Sequence, residues 1–203
     1  MKNSKLMKLN FMALCVVLGI VSKKLINPFA NLITETLHIP GGVSTGFSIM
    51  FLVIAAEMIH SPGYDSESGW TDKCGLFMGT VQGFVSLALG RVGSMGILMP
   101  IGFMATGAAI DLIYMAGKNM TFSRVERMVL ANSFAALMAS VTANLIVFHL
   151  QGPVLVLYFG VSAVSGMMYG FLAHAVAVRV KPVFDQYSYS CGQTFAQQSM
   201  DEN

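Results

Sequence analysis

The sequence predicts an all-α, polytopic membrane protein, a bundle of six transmembrane helices with both termini on the cytoplasmic side. Three observations lead there. Of 203 residues, 55% are hydrophobic and only 11% are charged, against roughly a quarter charged in an ordinary soluble domain. Mean hydropathy is +0.66. The apolar residues also fall into six stretches divided by shorter polar ones. A core of this size cannot hide so much apolar surface beneath a charged exterior. A soluble domain and a disordered chain are therefore excluded. The formal net charge of +2 is too small to point to nucleic acid or another polyanion.

A hydrocarbon layer about 30 Å thick needs about 20 apolar residues per helix. The candidate spans are residues 9–26, 43–59, 74–90, 95–116, 125–149 and 153–180. Residues 1–181 form one six-span membrane domain on this count, and 182–203 read as a polar, disordered cytoplasmic tail. The first span also has the look of a secretory signal, because Lys2, Lys5 and Lys8 precede a short apolar run. No A-x-A-like site follows, and Lys23 and Lys24 come directly after. Two lysines there can snorkel to the interface, so an uncleaved span is expected.

Lysine and arginine placement sets orientation. With the N-terminus inside, the cytoplasmic segments carry Lys2, Lys5, Lys8, Lys73, Lys118, Arg124, Arg127, Arg179 and Lys181. The outer segments carry only Lys23, Lys24 and Arg91. The expected site of residence is the cell membrane.

Helices in lipid associate where small residues let backbones approach. Three ladders at four-residue spacing meet that need. They are Gly75, Gly79 and Gly83; Ala131, Ala135, Ala139 and Ala143; and Ser162, Gly166, Gly170 and His174. Packing within the chain is the first expectation for each, and contact with a partner membrane protein the second. Three cysteines, at 15, 74 and 191, are too far apart for a metal-ligand spacing or a disulfide framework. No cofactor or metal is expected, and no G-x-x-x-x-G-K-[ST] phosphate loop occurs.

Charged residues inside spans should face the bundle, water or a partner. Glu57 is expected at the interface, and Asp111 deeper, in a structural or a functional role. The segment GVSAVSG before His174 is similar to the serine motif of intramembrane rhomboid proteases. Ser165 and His174, however, stand nine residues apart on one helix. At about 100° and 1.5 Å per residue they point to opposite faces, some 13 Å apart. His149 is expected at the outer surface, far above Ser165. A nucleophile and its base need hydrogen-bond reach, so no enzyme is expected.

The outer ends of the spans hold the candidate ligand site. Glu35 and His38 lie in the first outer loop, and Arg91, Gly93 and Ser94 in the second. Asn144, His149 and Tyr158 flank the third. Glu35 and His38 would give polar contacts, and Arg91 with the nearby glycine N–H groups would hold an anionic or carbonyl group, as a backbone nest does. Ordinary turn chemistry explains each residue singly; together they suit a small polar, partly aromatic ligand.

Three segments resemble the substrate-binding subunit, or S component, of energy-coupling factor (ECF) transporters, of the thiamin-precursor or hydroxymethylpyrimidine-like type. They are IPGGVSTGFSIMFLVIAAEMI, GLFMGTVQGFVSLALGRVGSMGI and PIGFMATGAAIDLIYM. The resemblance covers the middle half of the chain and is carried by short, glycine-dominated motifs. It implies capture of a vitamin or vitamin precursor from outside, with uptake driven by a membrane T component and two cytoplasmic ATPases. It also implies a small-x-x-x-small face for the T component. Many S components carry A-x-x-x-A in the first span, whereas here Ala13 is followed by Val17. The docking candidates are therefore Cys15 with Gly19, or a stripe such as Ala135 with Ala139. The alternative function is a stand-alone secondary transporter or small channel, for which Pro100-Ile101-Gly102 would break the fourth span.

Overall fold

The computed structural model describes residues 2–37, 43–60, 73–90, 95–117 and 122–201. Among them every regular element is helical, as the composition predicts. The helices are α1 (Lys2–Leu37), α2 (Val43–His60), α3 (Cys74–Ala88), α4 (Met99–Ala116), α5 (Arg124–Ala143) and α6 (Pro153–Asp201). Four stretches are long and apolar enough to cross a membrane: Met7–Phe29, Gly96–Ala116, Arg124–Phe148 and Pro153–Gln186. These mark a multi-pass membrane protein. Helices α2 and α3 are apolar but shorter. The 15 residues of α3 rise only about 22 Å at ~1.5 Å each.

Helix α2 is the innermost element. Apart from Phe51, every residue from 48 to 59 is buried. Its sequence is apolar around the whole circumference, and such a helix is stable only when other elements cover it on all sides. It touches all five other helices.

Contacts along the helices fix their directions. Gly75 lies against Gly107 and Asp111, Gly79 against Phe103, and Gly83 against Pro100, so α3 and α4 run antiparallel. Gly166 meets Asn132 and Ser133 while Gly170 meets Val129, so α5 and α6 are antiparallel too. Glu57 near the end of α2 meets Tyr114 near the end of α4 and Arg124 at the start of α5. The Phe11 and Phe184 rings, 4.8 Å apart, tie the early part of α1 to the late part of α6. The starts of α1, α3 and α5 thus share one end of the bundle with the finishes of α2 and α4 and the later turns of α6.

Two small-residue ladders pack within the chain. A β-carbon at Gly79 would collide with the Phe103 carbonyl oxygen, and one at Gly107 with the Gly75 carbonyl oxygen. Only glycine permits that approach of two backbones. The ladder at Gly166 and Gly170 meets the backbone of α5 in the same way. Ala131 and Ala135 are buried on the stripe of α5 that continues Arg124 and Met128.

The helix ends follow local chemistry. Ser123 caps α5, accepting a hydrogen bond from the Glu126 N–H at 3.3 Å, while the Glu126 carboxylate accepts from the Ser123 N–H at 2.9 Å. This S-x-x-E box satisfies two otherwise orphaned donors. At its other end α5 widens into a π-turn at Asn144–Phe148 and stops at His149, whose φ of 48° is left-handed. Pro100 stands in the first turn of α4, and the helix runs unbroken to Ala116. The break considered at Pro100-Ile101-Gly102 is absent, because proline at a helix start removes no intrahelical bond. Beyond residue 181, where the sequence predicts a disordered tail, the backbone of α6 continues as helix to Asp201.

A paired substitution tests the glycine seam. Gly79→Ala forces a methyl group into a backbone, and overpacking of this kind costs about 1–3 kcal/mol. Gly160, also helical, has open space on all sides of the position a β-carbon would take, so Gly160→Ala should be neutral or stabilising by about 0.5–1 kcal/mol. Melting of the purified protein in detergent should fall for the first and hold or rise for the second.

Candidate functional site

The polar side chains of the bundle form separate groups at its two ends and its centre. The largest group surrounds Glu57, which is 1% exposed. Its carboxylate accepts from Arg124 Nε at 2.9 Å, from Arg127 Nε at 3.2 Å and Nη2 at 2.9 Å, and from the Tyr114 hydroxyl at 3.0 Å. Arg124 and Arg127 lie three residues apart on α5, so both reach the last turns of α2 from one face. The Arg127 guanidinium lies 5.3 Å from the centre of the Tyr114 ring, and His60 stacks on that ring from 5.0 Å. Glu57, expected at the membrane interface, is turned into the bundle near the end of α2. The carboxylate is interior, and its charge is met by paired guanidinium groups.

Asp111 has a structural task. Its carboxylate accepts from the backbone N–H groups of Gly75 and Leu76, both at 2.7 Å. These are first-turn donors of α3, which Lys73 at the cap position leaves without a side-chain partner. A carboxylate at a helix N-terminus satisfies orphaned donors and complements the macrodipole. Because Asp111 belongs to α4, the same bonds also lock the α3–α4 pair.

Toward the centre, Asn132 Nδ2 donates to the Gly166 carbonyl at 2.8 Å, joining α5 to α6. The Ser140 and Ser162 hydroxyls lie 2.5 Å apart. Ser165 Oγ donates to the carbonyl oxygen of Ser162 at 3.0 Å. Among the described residues no group of three or more His, Cys, Asp or Glu is placed to hold a metal.

Of the residues predicted to bind ligand, His38, Arg91, Gly93 and Ser94 lie outside the described residues, and Glu35 is described only as part of helix α1. The other three share one end of the α5–α6 pair. Asn144 is a cap: its Oδ1 accepts from the Leu150 N–H at 2.8 Å, and its carbonyl from the His149 N–H at 2.9 Å. His149 is exposed. Tyr158 is buried, with its ring edge-on to Phe148 at 5.9 Å. Of the docking candidates, Cys15, Gly19 and Ala135 are turned into the bundle and Ala139 is half-buried. Gly19 in particular lies against Gln82 and the Ser48 carbonyl.

One polar residue of the interior, Gln82, is absent from the sequence-based candidates. It is fully buried with neither amide atom bonded. The signal available was a lone glutamine at the middle of an apolar span, four residues before Ser86. Comparison of the chain with protein-family models, with curated proteins and with solved structures finds no match.

Two carboxylate substitutions should separate the roles found here. Glu57→Gln leaves two guanidinium groups facing each other without an anion, and removing one partner of a buried pair costs about 3–5 kcal/mol. Asp111→Asn keeps one acceptor but loses the charge; hydrogen bonds to charged groups contribute about 1.5–3 kcal/mol. Both should lower the melting temperature, Glu57→Gln more. Double substitution of Glu57→Gln with Arg127→Gln should recover part of the loss.

Proposed function

We propose that the chain is a membrane-embedded solute-binding subunit of an ECF-type importer, an S component that takes a vitamin or vitamin precursor from outside. A T component and two cytoplasmic ATPases would then drive uptake. The observation that carries this reading is Gln82. An amide with two donors and two acceptor sites, wholly buried in an apolar bundle and unbonded at both ends, costs several kcal/mol unless something polar meets it. A solute-binding bundle has reason to keep such a group; a scaffold does not. The sequence has no phosphate loop of its own, so active uptake would draw its energy from partners.

Orientation with both termini in the cytoplasm belongs to the same proposal. Its support is the bias of lysine and arginine toward one end. Lys8, Lys73, Arg124, Arg127, Arg179 and Lys181 all belong to the starts of α1, α3 and α5 or the later part of α6. In a background lacking Cys15, Cys74 and Cys191, Ser94→Cys should react with an impermeant thiol reagent on intact cells and Ser199→Cys should not. The opposite pattern would invert the topology.

Reconstitution tests the function. The purified chain should bind a small solute by itself, yet liposomes containing it alone should accumulate none under an ion gradient. Gradient-driven accumulation would instead make it a secondary transporter.

A further inference from the structure

We infer that the seam between α1, α3 and α4 binds a small organic anion bearing an amide- or lactam-like edge, with Lys23 taking the charge and Gln82 the edge. This deepens the solute-binding proposal and rests on it. Gln82 faces α1. A β-carbon on Gly19 would stand 3.0 Å from Gln82 Nε2 and 3.2 Å from the Ser48 carbonyl oxygen. Glycine at this position therefore lets the α1 backbone come up against the amide without a side chain between them.

One helical turn further, α1 presents Lys23 and α3 presents the buried Ser86. Lys23 is half-buried, and its Nζ lies 5.1 Å from the centre of the Phe103 ring on α4. Phe103 in turn packs against Gly83, the neighbour of Gln82, with its Cβ 3.3 Å from where a Gly83 β-carbon would stand. These contacts place an unbonded amide and an ammonium on the same seam of three helices. Among the described residues no carboxylate pairs with Lys23. Glu57 is committed to its arginines and Asp111 to the start of α3. An aromatic face replaces only part of the hydration that a half-buried ammonium gives up.

The chemistry of the occupant follows. A water molecule could bond Gln82 but would leave the charge of Lys23 uncompensated. A halide or other simple inorganic anion would answer Lys23 but could not accept and donate at the two ends of the amide. A molecule with one negative group and an adjoining N–H and C=O answers both, and the amide edge of glutamine reads such a pair through two hydrogen bonds. Ser86 lies in the last turn of α3 and Phe103 in the second turn of α4. The seam is therefore near the end of the bundle where α3 finishes and α4 begins, which is the outer end in the proposed orientation.

The test uses the full chain in detergent, equilibrated with the filtered small-molecule fraction of a cell extract and washed. Molecules released on denaturation are identified by mass spectrometry and sorted by anion exchange. The wild type should retain an anion with an amide or lactam group. Lys23→Met and Gln82→Met should each reduce retention roughly ten- to a hundredfold, the loss expected for one charge-assisted bond. Elution volume and circular dichroism verify that both variants fold. Gln82→Glu supplies an internal anion for Lys23, so it should abolish retention without lowering the melting temperature; a fall in melting temperature, or retention persisting in this variant, counts against the site. Retention unchanged in both methionine variants would overturn this site and leave the solute-binding proposal standing. A retained cation or apolar molecule would overturn the ligand class. No retained molecule in the wild type would overturn the solute-binding proposal and the site together.

Discussion

Glu57 sits on α2, the helix the others surround, and its charge is tolerable there only because three side chains from α4 and α5 converge on it. Removing a carboxylate from water is expensive, and attraction in a low-dielectric interior repays the cost only when geometry and hydrogen bonding are good. Here both carboxylate oxygens are engaged. The condition fixes the positions of several elements at once. Helix α5 must begin where Arg124 and Arg127 can reach α2, and α4 must end with Tyr114 beside them. The capping box at Ser123 starts α5 at that height. A single buried charge therefore sets the relative height of three helices.

The α3–α4 pair is held by a different means. Glycines bring the backbones together, and Asp111 on one helix caps the other. Neither device works alone. The carboxylate reaches the first turn of α3 only because Gly75 leaves it space, and close backbone contact alone would leave the first N–H groups of α3 unsatisfied inside an apolar bundle, at a cost of a few kcal/mol. The pair that results carries Gln82 and Phe103 toward α1. The Glu57 network and the Asp111 cap thus lie toward one end of the bundle. The unsatisfied amide stands toward the other, beside an ammonium. Gln82 thereby stands apart from the groups that hold these helices together.

The sequence by itself determined the class. Apolar content, scarce charge and stretches of spanning length leave few alternatives to a multi-pass helical membrane protein, because backbone groups in lipid must be bonded within the segment. Most segment boundaries and the glycine ladder of α3 were legible too, since each depends on local spacing. Whether a helix meets lipid or protein was not legible, because apolar residues suit both. Only the tertiary structure decided that α2 is wrapped on every side, that Cys15 and Gly19 point inward, and that Glu57 and Asp111 find donors on other helices. Those partners are 35 to 70 positions away in sequence, beyond the reach of any local pattern. Gln82 was invisible for the same reason: whether a polar side chain is satisfied depends on what stands opposite it.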